Sequence, residues 1–121
     1  MERTVLIVDD DRHIVGVLAA LLEDEGYRVR RAYDGMSALQ EAEVAPPDLV
    51  LSDVAMPKMN GLALAQRLRD RGIPVVLLSA AIADPRLAGV PFVRKPFDLD
   101  QVLDTVALHL ANSGNQASVN A

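Results

Sequence analysis

The chain contains no cysteine and no tryptophan among its 121 residues. Without cysteine there is no disulfide, no thiolate nucleophile and no zinc–thiolate centre, and the absence fits a reducing compartment. Aromatic residues make up only 3%, so the core must be built from Leu, Val, Ile and Ala, and rings that could stack on nucleic-acid bases are lacking. Positive charge is also short: 12 basic residues stand against 17 acidic ones, for a net charge of -5. No basic patch is present to neutralise a phosphate backbone, and direct nucleic-acid binding is not expected. No apolar run approaches the ~20 residues of a membrane span. The N-terminal run Val5 to Val8 is too short for a signal peptide and ends in Asp9, Asp10 and Asp11. A cytoplasmic chain without membrane association is the expectation.

What is present is an alternation of short β-branched runs with longer segments of helical period, which predicts parallel strands joined by crossover helices in a single α/β domain. The runs "TVLIV", "YRVRRAY", "LVLSD", "PVVLLS" and "PFVRK" are the five strands. The arginines of the second suit an edge position. The first helix starts near Arg12, with Asp11 as its cap, an inward stripe of Ile14, Val17, Leu18, Leu21 and Leu22, and Gly26 as its stop. "MSALQEAE" is a short second helix, and a third runs from about Gly61 to Arg71. The last helix begins at Asp98, with Gln101 placed for a capping box and Leu99, Val102, Leu103, Val106 and Leu110 facing inward. The folded unit spans residues 1–111, and the polar tail 112–121 reads as disordered or as the start of a linker. His13 and His109 fall on helices and read as surface or core-edge residues, not ligands.

In such a sheet the carboxyl ends of the strands share one edge, where ligands bind. Asp9 and Asp10 follow the first strand, Asp53 ends the third, Ser79 the fourth, and Lys95 the fifth. Alone, each has an ordinary reading as a cap, a turn residue or a surface charge; together they place three carboxylates, a hydroxyl and an ammonium on one rim. Two like charges ~4 Å apart repel by about 4 kcal/mol at an effective dielectric near 20. Either one carboxyl stays protonated or a cation joins them, and hard oxygen ligands without His or Cys favour Mg²⁺ (or Mn²⁺). A carboxylate nucleophile, a hydroxyl, a lysine and such a cation are the parts needed for phosphoryl transfer.

The segments "VLIVDDD", "LVLSDVAMPKMNGL", "VVLLSAA" and "FVRKPFD" occur in one order across nearly the whole chain to about Leu110. In this the chain resembles the receiver domain of two-component response regulators. The resemblance implies a doubly wound, flavodoxin-like five-stranded parallel sheet of order 2-1-3-4-5. It implies that Asp53 is the phosphoacceptor, served by a histidine kinase or a phosphotransfer protein. By position, Asp10 and Asp53 would ligate Mg²⁺ directly, Asp9 through water, and Ala55 through its backbone carbonyl. Ser79 and Lys95 would contact the phosphoryl oxygens together with the backbone N–H groups of Val54 and Ala80, Phe92 would be the switch aromatic, and Lys95-Pro96 would be a cis peptide.

The chain departs from the family between Ser79 and Lys95, where "AAIADPRLAGV" leaves room for a single turn at most. The helix between the fourth and fifth strands is therefore expected to be shortened or missing, with residues 81–90 mobile or rearranged. Because that helix contributes to the family's usual output and dimer surface, homodimerisation through it is in question here. Ala55 and Ala81 neither block nor orient an attacking water, so the acyl phosphate is expected to be labile. Output would come from docking to a downstream protein, or from an effector domain joined through the tail. Two other functions compete with a phosphorylation-driven switch. One is a phosphorylation-independent binding module, which would usually have lost the acceptor, the acidic pair or the lysine. The other is a small Mg²⁺-dependent aspartyl-phosphate phosphatase of the haloacid dehalogenase type, which would carry its nucleophile on the first strand.

Overall fold

The computed structural model describes residues 2–80 and 89–120, those from 112 onward as backbone only. Its strands are β1 (Thr4–Val8), β2 (Arg28–Ala32), β3 (Leu49–Asp53), β4 (Val75–Ser79) and β5 (Phe92–Arg94). Its helices among the described residues are α1 (Arg12–Asp24), α2 (Gly35–Val44), α3 (Gly61–Arg69) and α4 (Leu99–Asn120). The strands form one parallel sheet in the order β2-β1-β3-β4-β5, as the alternating pattern predicts. Every residue of β3 and β4 is buried, because helices cover both faces of the sheet, and aliphatic residues accordingly make up most of both strands.

Side chains alternate between the faces. Leu6, Val8, Val50, Val75 and Leu77 pack against α2 and α3, whereas Val5, Ile7, Leu49, Leu51, Val76 and Leu78 pack against α1 and α4. The edge strand β2 points its arginines outward into ion pairs. Arg28 meets Glu2 at 2.8 Å, Arg31 meets Glu23 at 3.7 Å, and Arg30 meets Glu41 at 2.6 Å. Arg30 also donates to the carbonyls of Glu41 and Ala45, which ties β2 to the end of α2.

The helix ends follow the sequence. Asp11 accepts from the N–H groups of His13 and Ile14 at 2.9 and 3.3 Å. Asp98 and Gln101 cap each other's N–H groups at 2.8 and 3.3 Å. The helix α3 ends at Arg69, two residues before the expected limit, and Gly72 at φ 77° turns the chain toward β4.

Of the stripe expected on α1, Leu18 and Leu22 are buried and Ile14 and Leu21 pack partly buried against the same core, but Val17 departs from it. Val15, Leu18, Ala19 and Leu22 are buried and Val17 is 40% exposed, because the i, i+3, i+4, i+7 face centred on these four leaves position 17 at its margin. At the start of α4, Leu99 is likewise 42% exposed, one residue past the cap. The backbone of α4 continues as helix to Asn120, past the Ala111 at which the folded unit is expected to end; once nucleated, a helix meets no proline there.

Of the stretch 81–90 expected to be rearranged, residues 81–88, including Ala81, lie outside the described residues. Gly89 has φ 84° and Val90 is buried. No helix among the described residues is long and apolar enough to cross a membrane.

Candidate functional site

The carboxyl ends of β1, β3, β4 and β5 meet on one rim. Asp53, the last residue of β3, is 7% exposed, and its Oδ1 accepts from the Lys95 ammonium at 2.8 Å. Lys95 is brought there by a backbone bond from its N–H to the carbonyl of Ser79, and it precedes a cis peptide to Pro96. Carboxylate oxygens of Asp9, Asp10 and Asp53 all lie within 4.8 Å of one another. Residues far apart in the chain thus converge on one carboxylate, as expected from the strand ends.

The acids differ in environment. Asp10 is exposed, whereas Asp9 is 2% exposed. One Asp9 oxygen accepts from the Asp11 N–H at 2.9 Å, and the other, Oδ2, is buried without a hydrogen-bond partner. Burial raises the Asp9 carboxyl from its ordinary 3.8 to about 6 and the neighbouring Asp53 charge adds to the rise; the Asp11 N–H and Lys95 pull the other way. An orphaned buried oxygen beside two further carboxylates, with no nitrogen or sulfur donor, fits a hard divalent cation.

Ser79 is buried at the end of β4, one residue beyond Leu78, the partner of Asp53 in the sheet register. Ala80 follows it at the surface, and Ala55 is exposed two residues after Asp53. The Val54 N–H, expected at the phosphoryl group, donates instead to the Leu78 carbonyl at 3.1 Å, as one more rung of the β3–β4 ladder. Phe92 opens β5 beside Leu77 and is 42% exposed.

Two residues outside the sequence-based set touch the backbone of Asp53. The buried Ser52 hydroxyl donates to the Asp53 carbonyl at 2.9 Å. Gly61 donates its N–H to the Val54 carbonyl at 2.8 Å, and a Cβ at position 61 would stand 2.0 Å from the Asp53 carbonyl oxygen. The Asn-Gly pair reads locally as a helix start, and Asn60 does cap α3 through the Ala63 N–H at 2.8 Å; only the tertiary approach reveals why residue 61 carries no side chain. The preceding loop holds Lys58 at φ 68°, a left-handed conformation uncommon for a residue with a side chain.

The family model for the response regulator receiver domain matches residues 5–107. The chain is 37% identical over 105 residues to the response regulator GtcR of Aneurinibacillus migulanus, covering 81% of this chain and 43% of that protein. It is 34% identical over 110 residues to the alkaline phosphatase synthesis transcriptional regulatory protein PhoP of Bacillus subtilis, covering 84% and 46%. It thus spans about half the length of the curated relatives it matches. Among solved structures, the chemotaxis response regulator CheY4 of Vibrio cholerae superposes with a TM-score of 0.81 at 30% identity, over 90% of this chain and 99% of that one.

Proposed function

This chain belongs to the response regulator receiver domain family, and on that premise we propose that it is a phosphorylation-dependent signalling switch accepting a phosphoryl group on Asp53. The donor is a histidine kinase or a phosphotransfer protein. The observation that carries the reading is the Lys95 ammonium at 2.8 Å from the Asp53 carboxylate, with the Asp9 and Asp10 oxygens grouped around the same side chain.

A carboxylate oxygen of Asp53 attacks phosphorus as the bond to the donor's nitrogen breaks. Lys95 orients that carboxylate through its 2.8 Å hydrogen bond, then follows the charge onto the phosphoryl oxygens. Asp10 and Asp53 would hold Mg²⁺ or Mn²⁺ directly, Asp9 through water, and Ala55 through its carbonyl. When bound, the cation offsets the negative charge that gathers on the phosphoryl oxygens. The Ala80 N–H is a further donor to those oxygens, and the Val54 N–H becomes one only if it leaves the Leu78 carbonyl.

The new anion attracts the Ser79 hydroxyl. A charge-assisted hydrogen bond is worth about 1.5 to 3 kcal/mol, enough to bias a two-state equilibrium by roughly 10 to 150-fold. Movement of Ser79 leaves space at the edge of β4 into which Phe92 turns from its exposed position. The partner-binding face formed by β5 and α4 changes with it, and a downstream protein or a joined effector domain reads the change.

Incubation with acetyl phosphate and Mg²⁺ is expected to put one phosphoryl group on each chain, at Asp53, and none on Asp53→Asn. Absence of label on the native chain would favour a fixed binding module, and repeated turnover a phosphatase; either outcome displaces this reading. In the phosphorylated Phe92→Ala variant, amide NMR shifts around β5 should shrink while labelling of Asp53 continues. Loss of labelling would remove Phe92 from the switch.

A further inference from the structure

Among the described residues, four polar or charged side chains are buried: Asp9, Asp53, Ser79 and Ser52. The first three belong to the site; Ser52 has no role in it so far. It lies in the centre of the sheet between Val8 of β1 and Leu77 of β4, with no exposed surface. By alternation its side chain joins the layer of Val50, Leu64 and Leu77 under α3, where an aliphatic residue would be the ordinary choice. A hydroxyl in that layer is disfavoured unless it is hydrogen-bonded. Its bond goes to the carbonyl of the very next residue, Asp53.

The peptide group that leaves Asp53 is held at both its oxygen and its N–H, and the next peptide is held as well. Its oxygen accepts from the Ser52 hydroxyl, its N–H, that of Val54, donates to Leu78, and the following carbonyl, that of Val54, accepts from Gly61. The orientation of this peptide sets ψ of Asp53, while the ladder to β1 and β4 holds the residues before it. Together they fix the direction in which the Asp53 side chain leaves the backbone. We infer that Ser52 is a positioning residue for the acceptor: its buried hydroxyl, bonded to the Asp53 carbonyl, orients the peptide from which the Asp53 carboxylate is presented to the phosphodonor.

This rests on Asp53 being the acceptor. The test compares the native chain with Ser52→Ala, Ser52→Val and Ser52→Thr. The rate constant of labelling by acetyl phosphate is measured alongside the thermal midpoint and the ¹³C shift of the Asp53 carbonyl. Val and Thr have the same shape and differ in the hydroxyl. If Ser52 only filled space, Val would serve at least as well as Thr. The expectation is the reverse, with Thr within about twofold of the native rate and both Ala and Val slower by roughly two- to tenfold, the range of one net hydrogen bond, whatever the order of their thermal midpoints. Equal rates for Thr and Val, or a native rate for Ala, would overturn the inference. Should Val fail to fold, the comparison of Ala with Thr decides. Should the native chain take no label, the acceptor reading fails instead, and the carbonyl shift decides the role of Ser52: moved in Ala and Val but kept in Thr if it orients this peptide, unchanged in all three if it does not.

Discussion

Gly61→Ala is expected to cost at least about 3 kcal/mol of folding stability, the upper range for forcing extra volume into a packed site, and to slow labelling of Asp53 by roughly a hundredfold. The added Cβ would stand 2.0 Å from the Asp53 carbonyl oxygen and 2.9 Å from both the Asp53 carbonyl carbon and the Val54 Cα. All of these are backbone atoms at the end of a central strand, and none can swing aside as a side chain does. The helix α3 and the strand β3 must therefore separate, breaking the Gly61 to Val54 hydrogen bond and displacing the Asp53 carboxylate. Two other glycines provide the scale. At Gly35 the three nearest atoms all belong to the flexible Met59 side chain, 2.9–3.0 Å away, and the loss should be smaller; at Gly16, within α1, the added atom meets nothing within 4 Å, so alanine should stabilise by up to about 1 kcal/mol. Thermal melts of the three variants check the order, and an unchanged midpoint for Gly61→Ala would refute it.

The second large effect concerns pH. Asp9 has a carboxyl pKa of about 6 in the folded chain, against an ordinary 3.8. The folded state therefore binds this proton more tightly than the unfolded one. Its contribution to stability is fully present below about pH 4 and is lost as pH rises through 6, a total of about 3 kcal/mol. Asp34 runs the opposite way: the Ser37 N–H lowers it, and its contribution is lost as pH falls. The difference between the native chain and Asp9→Asn isolates the Asp9 part. In chelator, Asp9→Asn should be the more stable of the two at pH 7 and should lose that advantage by pH 4. With Mg²⁺, which requires the carboxylate, the native chain should gain most above pH 6 and little below it. A difference between the two proteins that stays constant from pH 4 to 8 would contradict this.

The legible parts of the fold were those whose signals are local. Aliphatic runs marked β1, β3 and β4, Asp11 and the Asp98/Gln101 pair marked helix starts, and the arginines of β2 marked an edge. The convergence of Asp9, Asp10, Asp53 and Lys95 was also readable, because parallel connection forces every strand's carboxyl end to one rim. What stayed hidden depends on how closely elements approach. The inward face of α1 is centred on Val15, Leu18, Ala19 and Leu22, so that Val17 is left outside it; which of the overlapping apolar stripes faces the sheet depends on how the helix docks. The Val54 N–H was expected to face the phosphoryl group, but the β3–β4 ladder extends one rung further than the strand pattern suggests and occupies it. Ser52 stood within the third strand and Gly61 at the start of the third helix, with nothing local to single out either. Their contacts with the Asp53 carbonyl depend on a side-chain rotamer and a helix-to-strand distance that no periodicity encodes.

The arginines along β2 have a consequence for the molecule in a crowded solution. An open strand edge invites another chain to continue the sheet, the route to fibrous aggregates. Here a newcomer would first have to displace Glu2, Glu23 and Glu41 from their cations and then lie against a row of unneutralised guanidinium groups. The outermost strand thus discourages polymerisation at the side of the sheet farthest from Lys95.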